Sequence, residues 1–327
     1  MEATHDLIVI GGGPAGYSAG LYAARASLDV LVLEHGMPGG QIATSDMIDN
    51  YPGIPNCSGA ELGQKMQAHA GQAGAQSEYG SVSSIEFNEI GEYIVKTDMA
   101  TYSAPSVIVA TGATPRLGGF DGEDAFRGRG VSYCATCDGM FYKGKRVFII
   151  GGGNSAVEEA LYLANIADRV EVIVRRDAFR ASRGMVERLV KKDNITVRYQ
   201  TSIIAVGGTT FIGQIEFRDN ATGAKHVETF DEGSVGIFVA VGHDPSVSLV
   251  EPYVDLGPDG GVVTDEAMAT RTPGLYCAGD MRSKSLRQVI TAASDGAIAA
   301  TSSYHYLEMR NASSYARPEN HSTPAQI

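Results

Sequence analysis

Residues 7–16 read Leu-Ile-Val-Ile-Gly-Gly-Gly-Pro-Ala-Gly, a short apolar run that ends in a glycine-rich turn and leads into a helical pattern. Gly11, Gly13 and Gly16 occupy the glycine positions of the dinucleotide fingerprint G-x-G-x-x-G. A second apolar run ends at Glu34, at roughly the twenty-residue spacing expected of the acidic partner. This pattern predicts a strand, turn and helix that hold a pyrophosphate at the helix N-terminus, with Glu34 accepting hydrogen bonds from ribose hydroxyls.

A second unit of the same kind begins at Arg146. Residues 146–150 form a predicted strand, Gly151-Gly-Gly-Asn-Ser-Ala156 opens a predicted helix, and residues 169–174 form the next strand. Val174 occupies the position that Glu34 holds in the first unit, so it cannot bond a ribose hydroxyl. The basic residues that follow it are Arg175, Arg176 and Arg180. Arginines at this point suit the 2′-phosphate of NADP, and a solvated basic turn is the alternative.

Two later segments, residues 107–115 and 237–245, also match each other, since each is an apolar strand followed by a glycine turn. The chain therefore contains an internal repeat, which predicts an α/β fold of two Rossmann-like three-layer dinucleotide-binding domains with mainly parallel sheets. Beyond the repeat we expect a strand within residues 274–280 and a helix over residues 286–307. The polar segment 311–327 is predicted to be a flexible tail.

Composition narrows the function. A chain of 327 residues corresponds to about two domains. Its net charge of −12 argues against binding to nucleic acid, because phosphate backbones would be repelled. No uncharged apolar run approaches the roughly 18 residues of a membrane helix, and the N-terminal segment lacks the basic region of a signal peptide. We therefore expect no membrane partner and a cytoplasmic location.

Four cysteines are too few for a disulfide scaffold, but two of them form the motif Cys134-Ala-Thr-Cys137, followed by Asp138. Such a pair can close into a disulfide and pass two electrons, and Asp138 could move the proton that thiol exchange requires. A zinc site would need two further ligands, and a purely structural disulfide is the other alternative. We expect no metal. The remaining cysteines, Cys57 and Cys277, are predicted packing residues.

Together these residues resemble the low-molecular-weight thioredoxin reductases, from about Leu7 to Leu307. The motifs that carry the resemblance are Gly39-Gly-Gln-Ile42, Asn50-Tyr-Pro-Gly53, Ala110-Thr-Gly112, Gly128-Arg-Gly-Val-Ser132, Cys134-Ala-Thr-Cys-Asp-Gly139, Gly279-Asp280 and Arg287-Gln-Val289. The resemblance implies a thioredoxin reductase in which the NADP-binding domain, residues 117–245, is inserted into an FAD-binding domain formed by residues 1–116 and 246–310. It also implies a homodimer.

The resemblance implies roles for individual residues. Cys137 would take electrons from the flavin, Cys134 would attack the disulfide of thioredoxin, and Asp138 would be the general acid and base. The implied FAD contacts are Gly11, Gly13, Pro14, Ala15, Gly16, Glu34, Gly40, Gln41, Asn50, Ala110, Thr111, Gly112, Gly279, Asp280, Arg287, Gln288 and Val289. The implied NADP contacts are Gly151, Gly153, Asn154, Ser155, Ala156, Arg175, Arg176 and Arg180. The residues implied to meet thioredoxin are Arg129, Met140 and Phe141.

Because the dithiol and the nicotinamide must both reach one flavin, the resemblance also implies rotation of the inserted domain, with hinges near residues 116–119 and 242–245. One departure concerns the electron donor, since the family usually has histidine at Val174. Some related flavoproteins use ferredoxin instead, and some cover the flavin with an aromatic C-terminal residue, for which Tyr315 is the candidate. Small dithiols or peroxiredoxin-type proteins are alternative acceptors, and a non-catalytic flavin-binding sensor is the alternative from another class.

Overall fold

A computed structural model describes residues 2–45, 47–88 and 90–315. The chain divides into two compact units, one formed by Met1–Thr114 with Pro245–Ile327 and the other by Pro115–Asp244. We call these unit 1 and unit 2. The domain boundaries expected from the sequence, after residues 116 and 245, lie close to these divisions.

The strands of the described residues follow in chain order. They are β1 (Glu2–Thr4), β2 (Leu7–Ile10), β3 (Val30–Glu34), β4 (Gln76–Tyr79), β5 (Val82–Phe87), β6 (Tyr93–Thr97), β7 (Thr101–Ala104), β8 (Ser106–Val109), β9 (Ala113–Pro115), β10 (Val131–Ser132), β11 (Arg146–Ile150), β12 (Arg169–Ile173), β13 (Ile195–Arg198), β14 (Thr201–Gly207), β15 (Gln214–Asp219), β16 (Lys225–Thr229), β17 (Val235–Val239), β18 (His243–Pro245), β19 (Asp255–Leu256), β20 (Val262–Val263) and β21 (Leu275–Cys277). The α-helices are α1 (Pro14–Arg25), α2 (Gly59–Ala73), α3 (Ala135–Asp138), α4 (Asn154–Leu163), α5 (Arg183–Leu189) and α6 (Val289–Tyr315).

Unit 1 is built on a parallel sheet of strand order β21-β8-β2-β3-β4. Successive side chains of β2 face opposite sides of the sheet, as the two-residue period of a strand requires. Leu7 and Val9 pack against α1 and the alanines of α6, whereas Ile8 and Ile10 pack on the side of Tyr93 and Val95 from the second sheet, β1-β7-β6-β5. Helices, parallel sheet and antiparallel sheet therefore form three layers.

Unit 2 repeats this plan around a parallel sheet of order β10-β17-β11-β12-β13. Val147 and Ile149 of β11 pack with Ala156 and Val157 of α4 on one face. Phe148 faces the other side, where it packs with β14-β15-β16, a three-stranded antiparallel sheet. This architecture confirms the predicted mixed α/β fold with parallel sheets. The sequence predicts the fold because strands buried on both faces of a sheet read as continuous apolar runs.

The last helix differs from the sequence expectation. It begins at Val289 rather than Leu286 and ends at Tyr315 rather than Leu307, so the prediction that the flexible tail starts at residue 311 is wrong for residues 311–315. That segment contains neither glycine nor proline, so nothing in it interrupts a helix that is already formed. The predicted tail residues 316–327, and the side chain of Tyr315, lie outside the described residues.

The length and hydropathy of each helix decide whether it could span a membrane. Within the described ranges, no helix has both the length and the apolar character that a bilayer crossing requires.

Candidate functional site

The glycine turn after β2 brings three backbone segments of unit 1 together. Gly11 has φ of +104°, and a Cβ there would lie 2.4 Å from the carbonyl oxygen of Ala110. The N–H of Gly39 donates to the carbonyl of Gly12 at 2.8 Å, which joins the Gly39-Gly40 turn to the first glycine turn. Among the described residues, a Cβ at Gly13 would meet only one atom within 4 Å, the Gly39 oxygen at 3.7 Å. The turn therefore leaves open space at the N-terminus of α1, where a phosphate group would fit.

Glu34, the last residue of β3, binds this turn directly. One carboxylate oxygen accepts from the N–H of Gly12 at 2.5 Å and the other from the N–H of Gly36 at 2.7 Å. Each oxygen keeps a lone pair for a further donor, such as a ribose hydroxyl. Glu34 thus both fixes the turn and remains available to a ligand.

The turn that carries Asp280 is anchored from α6. The N–H of Gly279 donates to Asp295 at 3.0 Å, and the same carboxylate pairs with Arg282 and Lys284. A Cβ at Gly279 would lie 2.9 Å from the Cβ of Ala15, so this turn lies against the start of α1. The two predicted flavin segments of unit 1, from the N-terminal and C-terminal parts of the chain, are therefore neighbours.

Asp280 presents a buried acceptor at which a polar ligand would fit. Its Oδ1 is buried and has no hydrogen-bond partner among the described residues. Burial raises the pKa of Asp280 to about 6, against the opposing effect of Lys284 and Arg287. Buried carboxylate oxygens without a donor are costly, so a ligand hydroxyl at this oxygen would remove the penalty. The residues present fit a flavin dinucleotide in this respect.

Other predicted contacts surround the same region. Asn50 donates to the side-chain oxygen of Gln288 at 3.0 Å. Arg287 donates to the Asp280 carbonyl at 3.2 Å, and Thr111 donates to the Ser246 carbonyl at 2.7 Å. Gln41 and Gly40 are exposed in a 3₁₀ turn over Gly40–Thr44.

The second glycine turn, after β11, has the same construction within unit 2. A Cβ at Gly151 would lie 2.4 Å from the Ala240 oxygen, whereas a Cβ at Gly153 would meet no atom of the described residues within 4 Å. The Gly152 carbonyl accepts from the N–H of Arg180 at 2.7 Å, and Asn154 accepts from the N–H of Ser182 at 2.9 Å. These bonds attach the loop after β12 to the glycine turn.

The three predicted arginines lie on this loop, and all three are exposed. No ion pair involves Arg175, Arg176 or Arg180 within the part of the chain that the structure describes. Val174 is only 3% exposed and packs in the core between the sheet and α4. The apolar residue is thus accommodated by packing, while the adjacent guanidinium groups are exposed to solvent.

The Cys-x-x-Cys motif forms a disulfide at the start of α3. Cys134 and Cys137 are bonded, with their Cα atoms 5.3 Å apart. Cys134 is the N-cap of α3, and its sulfur accepts from the N–H of Cys137 at 3.2 Å. Asp138 ends the same helix, so the two sulfurs and the carboxylate lie within one short segment. Cys57 and Cys277 are buried, as the sequence predicts.

The sequence assigned no role to two residues near the disulfide, although one of them, Ser132, ends the motif at residues 128–132. The Ser132 hydroxyl donates to Asp138 at 2.6 Å. Glu159 of α4 accepts from the backbone N–H of Ala135, and its Oε2 is buried without a partner among the described residues. Burial raises the pKa of Glu159 to about 8. A serine two residues before the motif was the available signal for Ser132, but no spacing rule indicates Glu159.

The predicted thioredoxin contacts lie on the surface of unit 2. Met140 and Phe141 are 54% and 48% exposed in the 3₁₀ turn that follows α3. Arg129 is also exposed, and its guanidinium donates to the Ala125 carbonyl. Large exposed apolar side chains next to a redox pair suit contact with a protein partner.

Comparison with known proteins is consistent with this arrangement. A family model described as pyridine nucleotide-disulphide oxidoreductase matches residues 5–296. The chain is 42% identical over 309 residues to a thioredoxin reductase of Treponema pallidum and 40% identical over 311 residues to one of Peptoclostridium litorale. These alignments cover 94% of this chain and 99% and 98% of the relatives.

Among solved structures, a thioredoxin reductase of Streptococcus pyogenes superposes with a TM-score of 0.87. It is 40% identical, and the match covers 94% of this chain and 99% of that structure. The two glycine turns, the Cys134–Cys137 disulfide and these matches lead to one conclusion. The chain belongs to the pyridine nucleotide-disulphide oxidoreductase family.

Proposed function

We propose that the protein is a flavin-dependent thioredoxin-disulfide reductase, with NADPH as electron donor, FAD as cofactor and thioredoxin as acceptor. The observation that carries the proposal is the Cys134–Cys137 disulfide at the start of α3, with Asp138 in the same helix. A protein that only binds or senses a flavin would need neither the dithiol nor the adjacent acid. The identity to thioredoxin reductases extends over nearly the whole chain, which supports the same reaction.

FAD, when bound, would take up the electron pair of NADPH and deliver it to the disulfide. In unit 1 the open face of Gly13 would receive the pyrophosphate, Glu34 the ribose hydroxyls, and Asp280 Oδ1 a further hydroxyl of the cofactor. The remaining residues that we assign to FAD binding are Gly11, Pro14, Ala15, Gly16, Gly40, Gln41, Asn50, Ala110, Thr111, Gly112, Gly279, Arg287, Gln288 and Val289.

NADPH would bind at the second glycine turn. Its pyrophosphate would lie at Gly151, Gly153 and the N-terminal residues Asn154, Ser155 and Ala156 of α4. The exposed guanidinium groups of Arg175, Arg176 and Arg180 would meet the 2′-phosphate, because charge-assisted bonds to a phosphate are stronger than bonds to water.

The bonds and protons of thiol–disulfide exchange then involve Cys134, Cys137 and Asp138 at the start and end of α3. Asp138 accepts the proton of the Cys134 thiol, the thiolate attacks one sulfur of the thioredoxin disulfide, and the leaving sulfur takes that proton back from Asp138. Asp138 next accepts the proton of Cys137, whose thiolate attacks the Cys134 sulfur and re-forms the Cys134–Cys137 disulfide. The second thioredoxin sulfur leaves and takes this proton, so thioredoxin gains both hydrogens and both electrons.

We assign Arg129, Met140 and Phe141 to thioredoxin docking. The apolar pair offers the kind of anchor that dominates protein interfaces, and the arginine offers charge complementarity to an acidic partner.

The test compares donors on the purified flavoprotein. NADPH, NADH and reduced ferredoxin are mixed with it in parallel, and flavin bleaching is followed by absorbance. We expect NADPH to reduce the flavin fastest. Flavin that stays oxidised for minutes in excess NADPH but is bleached by ferredoxin would replace NADPH with ferredoxin as donor, which is the alternative raised by Val174.

A cysteine variant tests the acceptor half of the reaction. We expect Cys137→Ser to retain bound FAD but to lose thioredoxin reduction, whereas Cys57→Ala, distant from the motif in sequence, retains both. Full turnover by Cys137→Ser would contradict the mechanism, and stoichiometric zinc in a colourless protein would replace it with a metal site.

We further infer a homodimer and a cytoplasmic location. Two buried free thiols, Cys57 and Cys277, suit a reducing compartment. Ile290 and Ile298 of α6 are exposed apolar residues that a second subunit could cover. Light scattering of the holoenzyme gives the mass, and a monomeric mass at micromolar concentration would exclude the dimer. Cell fractionation tests the location.

A further inference from the structure

A buried serine hydroxyl connects the two ends of the dithiol helix. Ser132 Oγ donates to Asp138 Oδ2 at 2.6 Å and accepts from the backbone N–H of Cys134 at 3.1 Å. The Cys134 carbonyl, at 3.4 Å, is a much longer alternative acceptor. A hydroxyl has one proton, so the short contact to the carboxylate is where that proton is donated.

The serine belongs to a short strand of the parallel sheet in unit 2. Ser132 is 4% exposed and ends β10, which pairs in parallel with β17 through Val131 and Ile237 and through Ser132 and Phe238. Ile237 and Phe238 are both fully buried. The serine backbone is therefore held by the parallel sheet of unit 2 rather than by α3, the helix that carries Asp138.

This contact favours one protonation state of the acid. A donor that points at a carboxylate stabilises its ionised form more than its neutral form. The titratable side chains of Glu159 and Tyr142 also lie near α3. Glu159 accepts a hydrogen bond from the N–H of Ala135 in α3. Tyr142 lies in the 3₁₀ turn that follows α3, and its pKa is raised by burial and by the negative charge of Asp138.

We propose that Ser132 is a positioning residue for proton transfer in thiol–disulfide exchange, and that its hydroxyl fixes the Asp138 carboxylate next to the dithiol. The proposal rests on the proposed function. Asp138 must accept and return a proton twice in each turnover, and Ser132 donates to it each time that it becomes a carboxylate. The hydroxyl itself gains and loses no proton.

The first test is Ser132→Ala in the FAD-bound enzyme. We expect kcat for thioredoxin reduction to fall about 10-fold, because general acid–base catalysis depends on the placement of the acid. The KM for thioredoxin and the rate of flavin reduction should be unchanged. The acid limb of the pH profile should move to higher pH, because the ionised carboxylate has lost a donor. Ser132→Thr, which retains a hydroxyl, should recover most of the rate.

A double variant separates positioning from structure. If Ser132 acts through Asp138, Ser132→Ala combined with Asp138→Asn should be no slower than Asp138→Asn alone. The matched control is Ser106→Ala, which removes another buried hydroxyl, one that binds the Gly274 carbonyl in unit 1. We expect this control to keep the wild-type pH profile. Full activity of Ser132→Ala, an unshifted profile or fully additive losses would overturn the proposal.

An assay without donor or thioredoxin distinguishes this failure from a failure of the proposed function. The protein is reduced with dithiothreitol, and alkylation of the dithiol by iodoacetamide is followed against pH. We expect Ser132→Ala to shift the midpoint, and the double variant to have the same midpoint as Asp138→Asn. If the alkylation midpoint shifts but the protein does not reduce thioredoxin, the role of Ser132 stands and thioredoxin is wrong as the acceptor. If the midpoint does not shift, the role proposed for Ser132 is wrong.

Discussion

Glu34 accepts the backbone N–H of Gly12 at 2.5 Å, so the acidic residue of the first dinucleotide motif is bonded to the glycine turn of the same motif. Its other oxygen accepts the N–H of Gly36. Both oxygens thus serve as acceptors before any ligand arrives, and the residue has a structural as well as a ligand-binding role.

We therefore expect Glu34→Gln to weaken FAD binding by about 10-fold or more and to lower the stability of the protein by about 1–3 kcal/mol. An amide can present only one oxygen, so one of the two N–H groups would face an NH₂ group and lose its acceptor. Isothermal titration of the flavin-free protein measures the affinity. Glu61→Gln, which breaks only an exposed pair with Lys65, is the control and should leave FAD binding unchanged. Equal affinity in Glu34→Gln and wild type would contradict the assignment.

The arginines after Val174 give a prediction about coenzyme choice. Replacing Arg175 and Arg176 together by alanine should raise the KM for NADPH about 10- to 100-fold and leave the KM for NADH nearly unchanged, because only NADPH carries the 2′-phosphate. Stopped-flow flavin reduction against coenzyme concentration measures both. Arg183→Ala is the control, since this exposed side chain pairs with Glu187. An equal effect on the two coenzymes would favour the solvated basic turn.

The sequence predicts some parts of the molecule much better than others. Both glycine turns could be predicted because Gly11 and Gly151 are required by local backbone geometry and adjacent strands. Ser132 and Glu159 could not, because their contacts with α3 depend on the pairing of β10 with β17 and on the packing of α4. The sequence also predicts the end of α6 too early, at Leu307 instead of Tyr315. Polar residues weaken the periodic apolar pattern there, but they do not end a helix.

Glu159 makes the stability of the protein depend on pH. Burial raises the pKa of Glu159 in the folded state to about 8, from the ordinary glutamate value of 4.5. Between these values the folded state keeps a proton that the unfolded state releases, so the free energy of unfolding falls as pH rises through this window. Glu159→Gln cannot ionise and escapes this loss. We expect the variant to be about 1–3 kcal/mol more stable than wild type at about pH 9 and close to wild type at about pH 5.

Denaturant unfolding of both proteins across this range measures the difference. Glu187→Gln, an exposed glutamate on α5, is the control and should show no comparable dependence on pH. A difference between Glu159→Gln and wild type that stays constant with pH would mean that Glu159 is ionised throughout.

A second buried carboxylate in unit 2 is fully paired. The side chain of Glu171 is 1% exposed. Its Oε1 lies 2.5 Å from Nη2 of Arg146 and 3.1 Å from Nε of Arg169, and its Oε2 lies 2.5 Å from Nη2 of Arg198. Removing the partner of a buried charge usually costs about 3–5 kcal/mol, because the remaining charges lose compensation. Glu228, which pairs with Arg146 and Arg198 and is 26% exposed, remains in place and limits the loss.

We therefore expect Glu171→Ala to lower the free energy of unfolding by about 3 kcal/mol, with little change when salt is raised, since buried pairs are weakly screened. Glu86→Gln, which breaks the exposed pair with Lys96, should cost at most about 1 kcal/mol. Thermal or denaturant unfolding at low and high salt measures both variants. If Glu171→Ala lowered the free energy of unfolding no more than Glu86→Gln, Glu171 would not be what holds Arg146 and Arg198. Their pairs with Glu228 and their stacking on Phe148 and Phe217 would hold them instead.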